Sequence, residues 1–205
     1  MCFPGWSAVF SRQPTLHHDM SGIDAETLRA RYEEYLASEA FAVVEEDRLA
    51  TLPEAFQDGS YLWKDCEWIV RWYLRRPLDG QSNPQEETFR HNRMREIETA
   101  IDEAIAVETL EARFEALLAL DGVDVPLASA FLQFIDPDSY TAIAEPCWDA
   151  LVLHGDLSGD YPDPVRPSAY RQYLESCRDL AEQADLRTVD IGRALWRLGR
   201  DFKTA

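Results

Sequence analysis

Apolar residues recur at intervals of three and four positions along most of the chain, which is the spacing of helices that bury one face. The clearest case runs from Asp24 to Ser38, where Asp24 is a suitable N-cap. Further helices are predicted over residues 40–55, with an interruption near Pro53, and over 61–76, 85–107, 108–120, 126–135, 146–153, 168–184 and 188–200. Because no segment has the alternation of a strand, we predict an all-α protein with a single globular helical domain over residues 23–205.

The most informative stretch, Leu117 to Ile135, predicts two helices joined by a tight loop, a hairpin that we place within residues 108–136. The loop is Asp121-Gly122-Val123-Asp124, because Gly and Asp both weaken a helix interior. Pro126 suits the first turn of the second helix, where its missing N–H is not needed. Small residues from Ala128 to Ala130 would let the two helices approach each other closely.

The segment from Tyr61 to Arg76, YLWKDCEWIVRWYLRR, is locally basic in an acidic chain. At helical spacing, one face holds Trp63, Cys66, Ile69, Val70 and Tyr73, and the other faces hold Lys64, Trp68, Arg71, Trp72, Arg75 and Arg76. Cations interleaved with aromatic rings can hold phosphates and stack on nucleobases. The alternative is that the tryptophans belong to the core and the arginines pair with neighbouring acids.

Two other predicted helices carry clusters of basic residues. Residues 85–107 contain a second, smaller basic patch, and in residues 188–200 the arginines are expected to face water. The patch is Arg90, His91, Arg93 and Arg95, and the later arginines are Arg193, Arg197 and Arg200.

The charge balance is strongly acidic. The 205 residues include 38 Asp and Glu but 20 Lys and Arg, giving a formal net charge of −18, and Lys64 and Lys203 are the only lysines. This profile is typical of proteins from a cytosol of molar salt, where the Debye length of about 3 Å screens self-repulsion. An acidic nucleic-acid mimic, or a partner for a basic protein, is the alternative. The acids are spread over every segment, which favours halophily.

Several function classes are excluded by missing motifs. No apolar run is long enough to span a membrane and no signal peptide is recognisable, so we expect a cytoplasmic protein. The cysteines are scattered at Cys2, Cys66, Cys147 and Cys177, which predicts neither a metal site nor an iron–sulfur cluster. We therefore expect no cofactor. Residues 1–22 differ in composition from the rest, and we interpret them as a leader that is either disordered or not native, since Met20 would be a natural start.

The hairpin resembles the helix-hairpin-helix of the base-excision DNA glycosylase superfamily, in particular its 8-oxoguanine glycosylase-like branch. Gly122, Val123 and Ala128 match the family pattern, whereas Asp124 stands where a second Gly is expected. The resemblance covers about residues 108–153 and, more loosely, 61 to the C-terminus. It implies that the loop offers backbone N–H groups to a phosphate of double-stranded DNA, as helix N-termini do.

The same resemblance removes the expected catalytic residues. The nucleophilic Lys of the branch aligns with Pro126, and the catalytic Asp, anchored on Trp148, aligns with Ala144. Pro has no amine to attack a sugar, and Ala has no carboxylate to stabilise positive charge. Glu145 lies one residue further and is the one weak catalytic candidate.

We therefore expect a DNA-binding protein related to DNA-repair glycosylases but without their activity. The candidate nucleic-acid-binding residues are Gly122, Val123, Asp124 and Val125 in the hairpin, and Arg71, Arg75 and Arg76 in the basic segment. A potassium ion could bridge Asp124 and a phosphate. The alternatives are an active glycosylase that uses Glu145 and a structural or protein-interaction module in which the hairpin is scaffold.

Overall fold

Helices form the regular structure of residues 22–75 and 83–204, which the computed structural model describes; the side chains of residues 202–204 lie outside that description. In chain order they are α1 (Ala25–Ser38), α2 (Ala42–Asp58), α3 (Trp63–Arg75), α4 (Pro84–Phe89), α5 (Met94–Ala106), α6 (Leu110–Leu117), α7 (Val125–Ile135), α8 (Glu145–His154), α9 (Pro167–Ala184) and α10 (Thr188–Thr204). No strand occurs within these ranges, and one apolar core joins the helices. The predicted all-α fold is confirmed.

Helix α7 is the central helix of the core. Its residues from Leu127 to Ile135 are all buried, and it packs against α2, α3, α6 and α9. Two polar side chains on it accept hydrogen bonds from the extended segment that follows. Ser129 Oγ accepts a hydrogen bond from Ile143 N at 3.0 Å, and Gln133 Oε1 accepts one from Ala142 N at 2.9 Å. The hairpin thus lies at the centre of the molecule, with its loop at the end of a buried helix.

Helix α10 packs against α1, α8 and α9. Its contact with α8 depends on Gly199, because a Cβ atom there would overlap the carbonyl of Pro146. Its apolar residues Val189, Ile191, Ala194 and Leu195 are fully buried. The final helix therefore covers one side of the core. Its Arg193 is buried, and Arg197 and Arg200 are half-buried.

Arg193 of α10 is 1% exposed, so the expectation that it faces water was wrong. Its Nε donates to Glu45 Oε1 at 2.9 Å, and Glu45 also accepts hydrogen bonds from Tyr35 and Trp72. Asp190 Oδ1 accepts from Arg193 Nη1 at 3.2 Å. A buried charge is tolerated only when it is paired. Arg193 can therefore be buried because these carboxylates pair with it, and the carboxylates can be buried because they pair with Arg193.

Two predicted helix boundaries were also wrong. Helix α2 continues through Pro53 to Asp58, because Leu52 and Phe56 on either side are buried and hold the last turns in place. The helix predicted over 85–107 is broken between α4 and α5. There the buried Asn92 leaves the helical path, and its side chain bonds a distant loop.

None of the described helices is both long enough and apolar enough to cross a membrane. The predicted leader lies almost entirely outside the described residues, as do Cys2 and Arg76.

Candidate nucleic-acid interface

The hairpin loop between α6 and α7 is tightly built. Gly122 has φ +77°, a value that favours Gly, and Val123 N donates to Leu120 O at 3.2 Å. A Cβ on Gly122 would lie 2.8 Å from both Gln85 O and Phe89 N of α4. The position therefore requires Gly for two reasons, and the loop is packed against α4.

Asp124 is the N-cap of α7. Its Oδ1 accepts a hydrogen bond from Leu127 N at 2.9 Å. This carboxylate already satisfies one N–H group at the helix start and complements the positive end of the helix dipole. Val123 and Val125 are buried, at 9% and 6% exposure, so a ligand would meet them through their backbone. A phosphate approaching this loop would face an exposed carboxylate.

The turn between α4 and α5, residues 90–93, is docked on the hairpin loop and is called the basic turn below. Asn92 Nδ2 donates to Asp121 O, and Asp121 N donates to Asn92 Oδ1, both at 2.9 Å. From α3, Trp63 Nε1 donates to Asn92 O at 3.2 Å. The basic turn therefore places the exposed Arg90, His91 and Arg93 beside the hairpin loop. Sequence reasoning missed this proximity because it assigned these residues to one long helix.

A groove of about 520 Å³ lies over the solvent side of α3 and is called the α3 groove below. It is lined by three aromatic residues, four cations and one acid: Phe41, Trp68, Trp72, Arg48, Lys64, Arg71, Arg75 and Glu67. Its size is within the range of about 300–1,000 Å³ found for small-ligand sites. Most of the residues that were predicted for the outer faces of the basic segment thus line this groove.

Two indoles form the aromatic part of the α3 groove. The rings of Trp68 and Trp72 are 6.4 Å apart with an interplanar angle of 21°, and both meet the ring of Phe134 edge-on. Trp72 is 2% exposed and forms the floor of the groove, whereas the sequence had suggested an exposed aromatic residue. Trp68 is half-buried. Helix α7 therefore fixes the groove through Phe134.

The arginines of α3 share one buried carboxylate. Glu86 of α4, 2% exposed, accepts from Arg75 Nη2 at 2.7 Å and Arg90 Nη2 at 2.6 Å, and lies 3.5 Å from Arg71 Nε. The alternative in which the arginines pair with neighbouring acids is therefore partly realised. Arg90 is also paired with Glu67, so three cations meet two carboxylates and positive charge remains. The hydrogen bond to Glu67 raises the pKa of Arg90, which keeps this arginine charged.

Helix α2 contributes Arg48 and Phe41 to the groove. The guanidinium of Arg48 lies over the Trp68 ring, 5.5 Å from its centroid, and is ion-paired with Asp65. Sequence reasoning did not single out these residues, because α2 is acidic and nothing local links it to α3. Lys64, in contrast, makes no ion pair with any of the described residues.

Glu145 begins α8 and lines a separate cavity of about 540 Å³. The other lining residues are Asp149, Asp160, Tyr161 and Asp163. Burial raises the pKa of Tyr161, and the carboxylates of Asp124 and Glu145 add to this effect. The hairpin loop therefore borders an acidic cavity on one side, and no metal-binding cluster is present among the described residues.

The two positions that the resemblance links to catalysis are the starts of helices α7 and α8. Pro126 is half-buried in the first turn of α7, and Ala144 is the N-cap of α8 at 8% exposure. Neither side chain can act as a nucleophile or an acid.

No protein-family model, curated protein or solved structure matched the chain.

The candidate residues thus fall into two zones separated by α4. Arg71 and Arg75 lie in the α3 groove, and residues 122–125 lie in the hairpin loop. Glu86 connects α4 to the first zone, and the backbone of Gln85 and Phe89 contacts the second. The basic turn spans the two zones.

Proposed function

We propose that this protein binds nucleic acid through a surface formed by the α3 groove, the basic turn and the hairpin loop, and that it does not cleave glycosidic bonds. The observation that carries the proposal is the concentration of cations and aromatic rings in the α3 groove of a protein with net charge −18. Such a combination can attract phosphates and stack on bases.

The electrostatics limit where a polyanion can approach. The overall charge repels nucleic acid at long range, and the cavity beside Glu145 adds local repulsion. In the α3 groove and the basic turn the cations exceed the acids paired with them, since Arg71, Arg75 and Arg90 share Glu86 and Glu67 and Lys64 makes no ion pair with the described residues. A nucleic acid would therefore be steered to this side of the hairpin.

Within this proposal the hairpin loop, Gly122 to Val125, contacts a phosphate through backbone N–H groups. Asp124 opposes a direct contact because its carboxylate is exposed beside the helix start. A potassium ion between Asp124 and the phosphate would remove this repulsion. The hairpin contribution is thus expected to depend on potassium, whereas the contribution of the α3 groove is not.

A binding titration with labelled duplex and single-stranded oligonucleotides tests the proposal. Lys64→Gln removes a cation that has no ion pair within the described part of the chain, so the fold should be unaffected. Arg166→Gln is the charge-matched control, because Arg166 is exposed at the start of α9, outside the groove. We expect Lys64→Gln to weaken binding and Arg166→Gln to leave it unchanged; equal effects, or no binding by the wild type, would refute the proposal.

An active glycosylase that uses Glu145 is the second candidate. It is favoured by the position of Glu145 in a cavity next to the hairpin loop, where a flipped base could enter. It is opposed by the acidic lining of that cavity, which would repel the flanking phosphates. Incubation with oligonucleotides that carry damaged bases, followed by hot alkali to break the strand at abasic sites, separates the two candidates, since base release that is lost in Glu145→Gln would establish catalysis.

A further inference from the structure

We propose that the α3 groove holds one unpaired nucleobase against Trp68, with the attached phosphate at Lys64 and Arg71, so that the protein prefers single-stranded over duplex nucleic acid. This inference rests on the proposed function and specifies its ligand. The shared chemistry is a planar base joined to a phosphate, whether it comes from a strand or from a free nucleotide.

The aromatic part of the groove is rigid before a ligand arrives. The rings of Trp68 and Trp72 meet Phe134 at 82° and 88°, with centroid distances of 5.5 and 5.1 Å. Trp72 Nε1 also donates to the buried Glu45 at 3.2 Å. Because these partners belong to the core, a base that stacks here does not have to order the indoles, which lowers the entropic cost of binding.

Arg48 occupies the space over the ring of Trp68. Its guanidinium lies 5.5 Å from the ring centroid, a separation that leaves no space for a base between them. A bound base therefore replaces the guanidinium on the ring. Arg48 remains attached to Asp65 at the rim of the groove, where its charge can still reach the ligand.

The cations are placed to receive the phosphate. Lys64 makes no ion pair with the described residues, and Arg71 is only loosely paired, since its Nε lies 3.5 Å from Glu86 Oε1 and outside ordinary hydrogen-bond distance. Both line the groove together with Trp68. One base and one phosphate can thus be bound at the same time.

Duplex DNA does not meet these requirements. Its base faces are covered by stacking within the helix, and a groove of about 520 Å³ has the size of a small-molecule site. Base–aromatic stacking is instead the usual interaction of proteins that bind single strands. Once the guanidinium of Arg48 is displaced, the α3 groove therefore discriminates by presenting an aromatic face that only an unpaired base can contact.

The test measures the affinity of the wild type for a short labelled single strand, for the same sequence as a duplex, and for adenosine monophosphate as a competitor. Trp68→Leu should reduce single-strand affinity about tenfold, the usual order for one lost stacking contact, and Trp68→Phe should restore most of it. Tyr32→Leu is the matched control, because Tyr32 is a half-buried aromatic residue of α1, outside the α3 groove, the basic turn and the hairpin loop. Thermal melts confirm that each variant is folded.

The outcomes separate this inference from the proposed function. Equal affinity for single strand and duplex, or equal losses in Trp68→Leu and Tyr32→Leu, would overturn the inference while nucleic-acid binding stands. Absence of binding to every nucleic acid would refute both. Competition by adenosine monophosphate supports the inference with a free nucleotide as a sufficient ligand, and single-strand binding without such competition supports it with the strand as the ligand.

Discussion

Arg193 and Glu45 form an ion pair in the interior of the protein, 2.9 Å apart and exposed by 1% and 0%. The pair joins α10 to α2, and Glu45 also accepts a hydrogen bond from Trp72 in the floor of the α3 groove. A pair of this kind is costly to break from one side, because the remaining charge stays buried without compensation. The stability of the core and the orientation of the groove therefore depend on the same carboxylate.

Arg193→Met should lower the free energy of unfolding by about 3–5 kcal/mol, because Glu45 is left charged and buried. The double variant Arg193→Met with Glu45→Gln should recover part of this loss. Urea denaturation measures both. As a control, Arg197→Met should cost no more than about 1 kcal/mol, since the pair of Arg197 with Asp201 is partly exposed. Similar losses in Arg193→Met and Arg197→Met would contradict the structural role of the buried pair.

The carboxyl group of Glu46 predicts how the stability of the protein depends on pH. Burial raises the pKa of this carboxyl, but the ion pairs with Arg193 and Arg187 outweigh burial and hold the pKa below its ordinary value of 4.5. The stabilisation is therefore complete above pH 4.5 and is lost as the pH falls through the lowered folded-state pKa. The stability difference between wild type and Glu46→Gln, measured by denaturation at several pH values, should shrink in that window.

Glu33→Gln is the control for this pH prediction. Glu33 is exposed and makes no ion pair within the described ranges, so its substitution should have little effect at any pH. A difference between wild type and Glu46→Gln that stays constant down to strong acid would show that the ion pairs of Glu46 do not contribute.

Gly122→Ala and Gly59→Ala separate backbone strain from steric overlap. Both glycines have positive φ, +77° and +74°, so both substitutions carry the same strain, of order 1 kcal/mol. Only at Gly122 would the new Cβ meet backbone atoms, at 2.8 Å, whereas nothing lies within 4 Å at Gly59. Denaturation should therefore show a larger loss for Gly122→Ala, and equal losses would mean that the loop does not pack on α4 as described.

Features that depend on neighbouring residues could be predicted from the sequence, whereas contacts between distant residues could not. Helix α1 was predicted with its N-cap because Asp24 and Thr27, which determine its start, are three residues apart. The break at Asn92 was missed because its partner Asp121 is 29 residues away. The burial of Arg193 was missed for the same reason, since Glu45 is 148 residues distant.

The α3 groove could be predicted only in part. The outer face of α3 follows from helical spacing, so Trp68, Lys64 and the arginines were identified. Trp72 lies on the same side of the helix wheel, but contact with Phe134 and Glu45 buries it. Arg48 joins the groove through the packing of α2, which local periodicity does not reveal.

We predict no Schiff-base chemistry with DNA. Pro126 occupies the position of the expected nucleophile, and Lys64 lies in the α3 groove, which no residue of the hairpin loop lines. Borohydride treatment of mixtures with abasic or damaged DNA should therefore give no crosslinked band. A strong band that disappears in Lys64→Ala would show that the α3 groove is catalytic and that the protein is a lyase.

We predict that the protein requires salt for stability. Its net charge of −18 produces self-repulsion, and the Debye length falls from about 10 Å at 0.1 M salt to about 3 Å at 1 M, which screens this repulsion. Salt also weakens the exposed ion pairs, but each of these contributes about 1 kcal/mol or less, and the buried Arg193–Glu45 pair is screened much less. Relief of repulsion should therefore dominate.

The melting temperature should accordingly rise from low to molar KCl. A triple variant, Glu33→Gln, Asp47→Asn and Glu54→Gln, tests the cause, because these three acids are exposed and make no ion pair within the described residues. It should melt at a higher temperature than the wild type in low salt and should gain less from added KCl. A wild-type melting temperature that is flat or falls with salt would refute the halophilic interpretation. A triple variant with the same salt dependence as the wild type would show that KCl acts through something other than the screening of surface charge, since removing acids then leaves the response unchanged.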